Sequence, residues 1–485
     1  MTRWEGLIGV LLLAGATGLG AEEIYFQGQN HFEASSDTER EREIVEEWLD
    51  LDLYGGPIHL GLQWSAFPYP DPTVSDPDLT GFESITHRFA ELEWNRQKLR
   101  VGTFTQLFGR GLALRSYENR DLRLDSNLDG ALYEISSPGR WQATFLRGAV
   151  DTGPMEHFAR RHAGRVTGMD LERSLGAYRA GSSTVIMDTP GAERHKGYQT
   201  LRGSASGEQV QLDYEGGFRF GDGTEGQGHI LEGSVLYGPF SLFAGYKYYE
   251  EFAGLNQAPV LIHDQRATLL NRHPHQLDMN DETGFMIDLS TRTPLGSFLA
   301  SYALTEHLDG KPGENDFLEA FLEWDNYFSG DFLLSAHAIL DYQEKSVITP
   351  LDSWESDAYL TLATDVRLGL GSWELMLEWE HQHKDSELTG EYDDDFLVAE
   401  LLARNGWSLS VLGEFLNWTE EHQELEGETD FRSRWSGVQL AGPIGDAHEI
   451  RLFAGGRRAG YICIGGVCRY EPAFDGVELS FQTRF

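Results

Sequence analysis

The 485-residue sequence predicts an all-β protein: a single large antiparallel transmembrane β-barrel of about 22 strands, within a range of about 20 to 24. Two observations carry this prediction. Segments in which apolar and polar residues alternate recur along the chain, and very short turns alternate with long polar connections. An up-and-down membrane barrel has this asymmetry, because short turns join its strands at one end and long loops join them at the other.

The last ten residues show the strand pattern most clearly. A two-residue period places apolar or small side chains on one face (Val477, Leu479, Phe481, Thr483, Phe485) and polar ones on the other (Glu478, Ser480, Gln482, Arg484). A terminal strand that ends on phenylalanine is similar to the signal that the insertion machinery of bacterial outer-membrane barrels reads. Phe481 and Phe485 are therefore the predicted membrane-insertion signal.

The strand count comes from the short turns. Ten of them carry Gly, Pro, Asn or Ser, as hairpins require, for example at residues 55–57, 137–140 and 405–406. One strand on each side of every turn, together with the first and last segments, gives about 22 strands. The connection between residues 150 and 196 leaves the count open, because Arg165–Ser174 and Ala177–Met187 could form a further hairpin.

A soluble β-sandwich also alternates apolar and polar residues, so alternation alone does not separate the two classes. Tryptophans near turns or loop mouths favour the membrane barrel, since an aromatic girdle belongs at the membrane surface. Five tryptophans are assigned to such positions: Trp94, Trp324, Trp373, Trp379 and Trp407.

Residues 1–21 resemble a cleaved secretory signal peptide, with Arg3, an apolar core and small residues at the end, which leaves residues 22–485 as the barrel. Residues 24–28 read as a first strand, although they also resemble an engineered protease site. Outside residues 7–20, no apolar run approaches the roughly 20 residues that a membrane helix needs.

The net charge of −40 argues against a nucleic-acid partner, because phosphates are bound by Lys and Arg. The charge fits an acidic lumen or loops that bind divalent cations. No Cys-x-x-Cys-His motif occurs, so c-type haem is excluded, and no other cofactor is expected. Nothing singles out a serine, a histidine and a polar orienting group on one face, so the sequence does not predict an enzyme.

Two sets of charged residues are candidates for a pore. One is a set of acidic side chains on inferred inward faces (Glu91, Glu93, Glu319, Glu323, Glu374, Glu378, Glu400, Glu414), which would favour cations, or would simply be a solvated polar face. The other is the connection 108–127. Its mixed charges could form a constriction that folds inward, or an external loop held by ion pairs (Arg110, Arg115, Glu118, Arg120, Asp121, Arg123, Asp125).

Cys463 and Cys468 are the two cysteines of the chain. In an oxidising compartment, two cysteines this close in sequence are predicted to form a disulfide that closes a loop. A metal site is disfavoured, because it would need four ligands. No metal site is predicted.

Residues 101–130, Val-Gly-Thr-Phe-Thr-Gln-Leu-Phe-Gly-Arg-Gly-Leu-Ala-Leu-Arg-Ser-Tyr-Glu-Asn-Arg-Asp-Leu-Arg-Leu-Asp-Ser-Asn-Leu-Asp-Gly, resemble the signature of a family of uncharacterised bacterial outer-membrane proteins, a domain of unknown function. The stretch from Cys463 to Tyr470 and the closing strand are similar to the same family. The resemblance implies an outer-membrane barrel and carries no known activity.

The resulting hypothesis is a porin-like channel or passive transporter for small polar solutes, with cation preference, in the outer membrane of a Gram-negative bacterium. Its expected partners are outer-membrane lipid and lipopolysaccharide, the barrel-insertion machinery, and small solutes or divalent cations. The alternative is a structural or scaffold barrel that presents its external loops or encloses a protein partner.

Overall fold

A computed structural model describes residues 24–69, 81–120, 124–150, 164–188, 195–221, 223, 225–253, 267–272, 281–308, 316–330, 332–348, 354–387, 390–418, 432–464, 467–471 and 473–485. The predicted signal peptide, residues 1–21, lies outside the described residues, as do Asp121 and Arg123.

One antiparallel sheet of 24 strands dominates the chain. Each strand pairs with the barrel strand that precedes it and the one that follows it, and the last pairs with the first. Its strands are β1 (Ile24–Asp37), β2 (Arg42–Gly55), β3 (Ile58–Tyr69), β4 (Phe82–Trp94), β5 (Gln97–Phe104), β10 (Leu128–Ser137), β11 (Trp141–Val150), β12 (Arg165–Leu175), β13 (Tyr178–Asp188), β14 (Lys196–Ser206), β15 (Val210–Phe220), β16 (Gly226–Tyr237), β17 (Phe240–Glu250), β18 (Asp281–Thr293), β19 (Gly296–His307), β20 (Phe317–Tyr327), β21 (Leu333–Ile348), β22 (Trp354–Leu370), β23 (Trp373–Ser386), β24 (Gly390–Ala403), β25 (Ser408–Leu416), β26 (Arg434–Ile444), β27 (His448–Arg457) and β30 (Phe474–Arg484).

Smaller elements lie in the connections. Three two-stranded ladders pair β6 (Leu107–Phe108) with β7 (Leu114–Arg115), β8 (Glu118–Asn119) with β9 (Leu124–Asp125), and β28 (Gly460–Ile464) with β29 (Val467–Glu471). A single helical turn, α1 (Thr268–Asn271), lies between β17 and β18. Among the described residues, no helix is long and apolar enough to cross a membrane.

The all-β barrel predicted from the sequence is confirmed, and its 24 strands lie at the upper end of the predicted range. The hairpin left open between residues 150 and 196 supplies the two strands beyond 22, namely β12 and β13. The sheet closes because β1 and β30 run antiparallel over nine residue pairs, from Gln29 opposite Arg484 to Asp37 opposite Gly476.

The two faces of the sheet differ in polarity, as a membrane barrel requires. The outward face carries exposed apolar side chains around the barrel, among them Leu171, Leu231, Leu289, Leu340, Leu397 and Leu440. Exposed aromatic residues stand where strands meet the short turns, including Trp141, Tyr178, Tyr237, Phe240 and Trp373. The inward face is polar, and its buried members include Glu215, Glu319, Asp341, Glu380 and Glu414.

The closing strand follows this rule. Ser480 contacts His31 across the seam, with 3.3 Å between Oγ and Nε2, on the inward face. Val477 and Phe485 point outward and are 49% and 56% exposed. The polar face predicted for this strand therefore lines the lumen, and the apolar face is available to lipid.

Candidate lumen constriction

The connection between β5 and β10 is called here the inward loop (residues 105–127), and its described residues, 105–120 and 124–127, are folded by their own hydrogen bonds. Two serines bridge its short ladders. The backbone N–H of Gln106 donates to Ser116 Oγ at 2.8 Å, and that of Tyr117 donates to Ser126 Oγ at 2.9 Å. The backbone N–H groups of both serines also donate to opposing carbonyls. These bonds satisfy backbone groups that would be costly to bury unpaired, so the loop can be buried inside the barrel.

Apolar side chains of the inward loop pack against one side of the lumen. Phe108, Leu112 and Leu114 are fully buried. They belong to one cluster with inward-facing residues of the wall strands β12 to β17 (Val166, Val185, Met187, Tyr198, Ile230, Tyr249). The loop therefore crosses from β5 and β10 to strands several positions away around the barrel.

Glycine makes room for this packing. A Cβ atom on Gly168 of β12 would lie 2.8 Å from the Phe108 ring. Gly109 has a φ of +57°, and a Cβ there would lie 2.5 Å from a carboxylate oxygen of Glu215. The backbone N–H of Arg110 donates to that carboxylate at 2.5 Å, and its guanidinium pairs with Glu232 on β16. Both positions therefore require glycine, which has no Cβ atom.

The other side of the inward loop is held by charges. Arg120 binds both carboxylate oxygens of Asp50 on β2, at 3.1 and 2.9 Å, and Glu118 at 3.0 Å. Asp125 contacts His87 of β4 at 2.8 Å. Burial lowers the pKa of Arg120, but the charges of Glu118 and Asp50 outweigh burial and leave its pKa above the ordinary value. The guanidinium is therefore a permanent cation in this network.

A second segment enters the lumen on the opposite side. Residues 267–272, called here the inward segment, contain α1. Ala267 and Leu270 pack against Phe321, Ile339 and Ala363 of β20, β21 and β22. These contacts place the segment against β20, β21 and β22, whereas the contacts given above for the inward loop lie on other strands of the wall.

Both ends of the inward segment are bound to the wall. The backbone N–H groups of Thr268 and Leu269 donate to the two carboxylate oxygens of Glu380, each at 2.7 Å. At the other end, Arg272 forms a two-pronged contact with the carboxylate of Glu414, with 3.0 Å between Nη2 and Oε2. Such bidentate, charge-assisted pairs are the stronger hydrogen bonds of proteins.

Arg458, from the connection after β27, completes a cluster around Glu414. Its guanidinium lies 3.0 Å from Asp394 and 3.8 Å from Glu414, and it stacks 4.7 Å over the Trp418 ring. With Arg272, the cluster holds two cations and two carboxylates. Direct contact between arginines and carboxyl groups offsets the cost of burying them.

The structure places the predicted acidic residues on the inward faces of their strands, where several of them have direct partners. Glu91 lies 3.6 Å from Arg100, and Glu323 lies 2.9 Å from His337. Glu319 accepts from Gln343 at 3.1 Å, and Glu414 binds Arg272. The remaining residues, Glu93, Glu374, Glu378 and Glu400, share the inward faces of β4, β23 and β24. The acidic lining is thus partly neutralised by fixed cations.

A cavity of about 300 Å³ opens on the lumen side of β20 to β23, beside Ala267. Its walls are acidic, with Asp325, Asp365, Glu378 and Glu380. His337 also lines it, held between Asp365 at 2.7 Å and Glu323 at 2.9 Å. Arg367 is the other basic residue that lines the cavity. The cavity therefore presents an excess of negative charge.

Other predicted residues lie apart from these contacts. Arg115 stacks 5.1 Å over Tyr117 within the inward loop. The backbones of Cys463 and Cys468 lie directly opposite each other in the β28–β29 ladder. That register suits the predicted disulfide, which stays a prediction.

Sequence-based prediction did not find the inward segment. Arg266 and Arg272 flank the apolar pair Leu269–Leu270, in a connection read only as a long loop. The available signal was two acidic residues, Glu380 and Glu414, on strand faces that alternation assigns to the lumen. Nothing in the local sequence links residue 272 to residue 414.

A family model described as a family of unknown function (DUF6029) matches residues 17–190 and 310–485, which is most of the chain. The chain belongs to DUF6029. The matched part of this DUF6029 chain includes the inward loop, whereas the inward segment lies between the two matched parts. No curated protein sequence matches the chain.

Solved structures similar to this DUF6029 chain include pilus assembly chains and a porin. The chain is similar to a chain of the E. coli P pilus tip assembly intermediate PapC-PapD-PapK-PapG, with 10% sequence identity and a TM-score of 0.56. That match covers 96% of this chain and 61% of that chain. At this identity the similarity shows the fold alone.

Two further matches have lower TM-scores. The P pilus usher (PapC) translocation pore matches with 10% identity and a TM-score of 0.47, covering 96% of this chain and 99% of that one. A BenF-like porin from Pseudomonas fluorescens Pf-5 matches with 10% identity and a TM-score of 0.41, covering 79% of this chain and 99% of that one.

Proposed function

We propose that this protein is a narrow, porin-like channel of the Gram-negative outer membrane that passes small polar solutes and prefers cations. The observation that carries the proposal is the inward loop, which is ordered by its own hydrogen bonds and bound to both sides of the lumen wall. Contacts at Asp50 and His87 hold one side, and contacts at Glu215 and Glu232 hold the other.

The location follows from the physics of the wall. A closed sheet satisfies the backbone hydrogen bonds of every strand without water, which is the condition for spanning a membrane without a helix. The outward apolar face and the aromatic residues beside the short turns supply the surface that lipid contacts. Lipid and lipopolysaccharide are the expected partners of that surface.

A barrel of this size has a wide lumen, and the known barrels with about 22 strands are plugged. Here the inward loop and the inward segment occupy opposite sides of the lumen. Solutes that pass between them would have to be small. The acidic cavity beside the inward segment supports a preference for cations, because fixed carboxylates attract cations and repel anions.

Single-channel recording in planar bilayers tests the constriction. Replacing residues 115–125 by a short flexible linker should raise the conductance, because Arg120 and Asp125 can no longer hold the loop across the lumen. The matched control removes the equally long connection 70–80, between β3 and β4. Unchanged conductance after the first deletion, or an equal rise after both, contradicts a constriction at the inward loop.

The reversal potential in a salt gradient tests the cation preference. We expect the unmodified channel to favour the cation. The double variant Glu378→Gln and Glu400→Gln should move the reversal potential toward zero, whereas Glu208→Gln, in a short turn, should not. A barrel that never conducts in bilayers or swelling liposomes, yet copurifies with a protein, would instead support a scaffold that encloses a partner.

A further inference from the structure

The inward faces of β20 and β21 hold a group of oxygen atoms that the inward loop and the inward segment do not use. Glu319 of β20 lies opposite Gln343 of β21, and Asp341 lies two residues before Gln343 on the same face. The exposed fractions of these three side chains are 2% for Glu319 and 1% each for Asp341 and Gln343. Two carboxylates are thus buried on neighbouring strands.

The hydrogen bonding of these groups is incomplete. Gln343 donates its amide to Glu319 at 3.1 Å, which fixes the orientation of the side chain. Its amide oxygen has no hydrogen-bond partner among the described residues. Neither carboxylate oxygen of Asp341 has a partner in good hydrogen-bond geometry, although the Gln343 side chain lies beside that carboxylate. Buried acceptors are normally satisfied, so three such oxygens on adjacent residues of one face call for a missing donor or cation.

Basic side chains near this face are engaged elsewhere. Lys384 pairs with Asp357 at 3.1 Å, and Lys345 lies 5.2 Å over the ring of Tyr359. Among the described residues, none forms an ion pair with Asp341. Thr361 of β22, directly opposite Asp341, adds a hydroxyl oxygen that accepts from Gln382 at 2.9 Å.

We propose that Asp341 and Gln343, with Glu319 beside them, form a binding site for a calcium ion inside the barrel wall. Carboxylate and amide oxygens are the ligands that hard cations take, and calcium accepts six to eight of them in flexible geometry. Two carboxylates balance the charge of a divalent ion. Magnesium demands near-ideal octahedral geometry and keeps several waters, so a fully buried site favours calcium.

The site would fasten the wall behind the inward segment. Ile339, two residues before Asp341, and Phe321, opposite Asp341, both pack in the cluster that receives Leu270. A bound ion would hold β20 and β21 in register where the segment docks. The inference is independent of conductance, since it concerns the wall itself.

The test uses the full-length barrel, purified in detergent and stripped with EDTA. Terbium, which replaces calcium at oxygen sites, should luminesce on excitation of aromatic residues, because Tyr359 lies opposite Gln343. Calcium should displace it, and magnesium should do so far less well. Calcium should also raise the thermal unfolding temperature.

Two variants and one control locate the site. Asp341→Asn removes a charge with little change in shape, and Gln343→Met removes the amide oxygen at similar volume. Each should weaken terbium binding at least about tenfold, as losing a ligand or its immediate support does at metal sites. Asp213→Asn, on the inward face of β15, should bind terbium as the unmodified protein does.

Two results overturn the proposal. One is terbium binding that is equal in all three variants, which places the ion elsewhere. The other is an unfolding temperature that calcium does not change in the unmodified protein but that the Asp341→Asn substitution raises. That result would mean that the two carboxyl groups share a proton instead of binding an ion. If Asp341→Asn does not fold, Gln343→Met and displacement of terbium by calcium in the unmodified protein still decide the question.

Discussion

Replacing Glu414 by glutamine should release the inward segment from the wall. Glu414 receives both prongs of the Arg272 guanidinium and also lies 3.8 Å from Arg458. The substitution keeps the shape of the side chain but removes its charge. The cluster then has one negative charge fewer beside its two arginines.

The size of the effect follows from burial. The side chain of Glu414 is 3% exposed and that of Arg272 is 14% exposed, so solvent screens their interaction little. Removing one partner of a buried ion pair costs about 3–5 kcal/mol of stability. Because glutamine retains one acceptor, we expect the docking free energy of the segment to fall by about 3 kcal/mol, the lower end of this range. Since each 1.4 kcal/mol is a factor of ten, opening of the segment should become about 100-fold more frequent.

Hydrogen exchange measured by mass spectrometry reads this opening directly. The N–H groups of Thr268 and Leu269 are protected by Glu380 only while the segment is docked. A peptide covering residues 267–272 should therefore exchange about 100-fold faster in the Glu414→Gln variant, provided that exchange occurs through local opening.

Glu400→Gln is the matched control, because it removes the same charge from the same inward side of the wall. Exchange of this peptide should be unchanged there. Equal exchange in Glu414→Gln and in the control refutes the reasoning, since it would show that the ion pair does not hold the segment. Exchange that accelerates over the whole barrel would show global loosening instead of local release.

Three further results are expected. Gly168→Leu should displace the Phe108 ring, because the added side chain occupies its position, and single-channel recording should show a changed conductance with the barrel still folded. Leu340→Arg, at the centre of an outward-facing row, should destabilise the membrane-inserted barrel by about 2–4 kcal/mol in reversible unfolding from lipid vesicles. Reduction of the predicted disulfide between Cys463 and Cys468 should speed exchange in their loop and leave the heat-modifiable migration of the barrel unchanged; global unfolding on reduction would contradict a local staple.

The architecture was predictable because its causes are local. A two-residue period fixes which side chains face outward, and turn residues such as the pair at 95–96, with φ values of +44° and +65°, fix where strands reverse. The ambiguous hairpin, Arg165–Ser174 with Ala177–Met187, formed as one of the two alternatives considered. Periodicity therefore sufficed for the wall of the barrel.

The contents of the lumen were less predictable, because they depend on contacts between distant residues. The sequence of the inward loop predicted ion pairs but not their partners, such as Asp50 for Arg120. Glu414 was predicted as one of a set of lumen acids, and the structure pairs it with Arg272. Alternation shows that a carboxylate faces inward, but it does not show which connection folds back to meet it.

The seam between β1 and β30 has a consequence for biogenesis. Among the strands described, all other neighbouring pairs in the barrel are consecutive in the sequence, so those pairs can form one hairpin after another. The seam alone joins strands that lie far apart in the sequence, so it carries the largest loop-closure entropy. Until β30 is in place, β1 presents an unpaired edge that any other strand could join. Closure should therefore be the slow step of assembly, and an unfinished barrel needs its first strand shielded until the last one arrives.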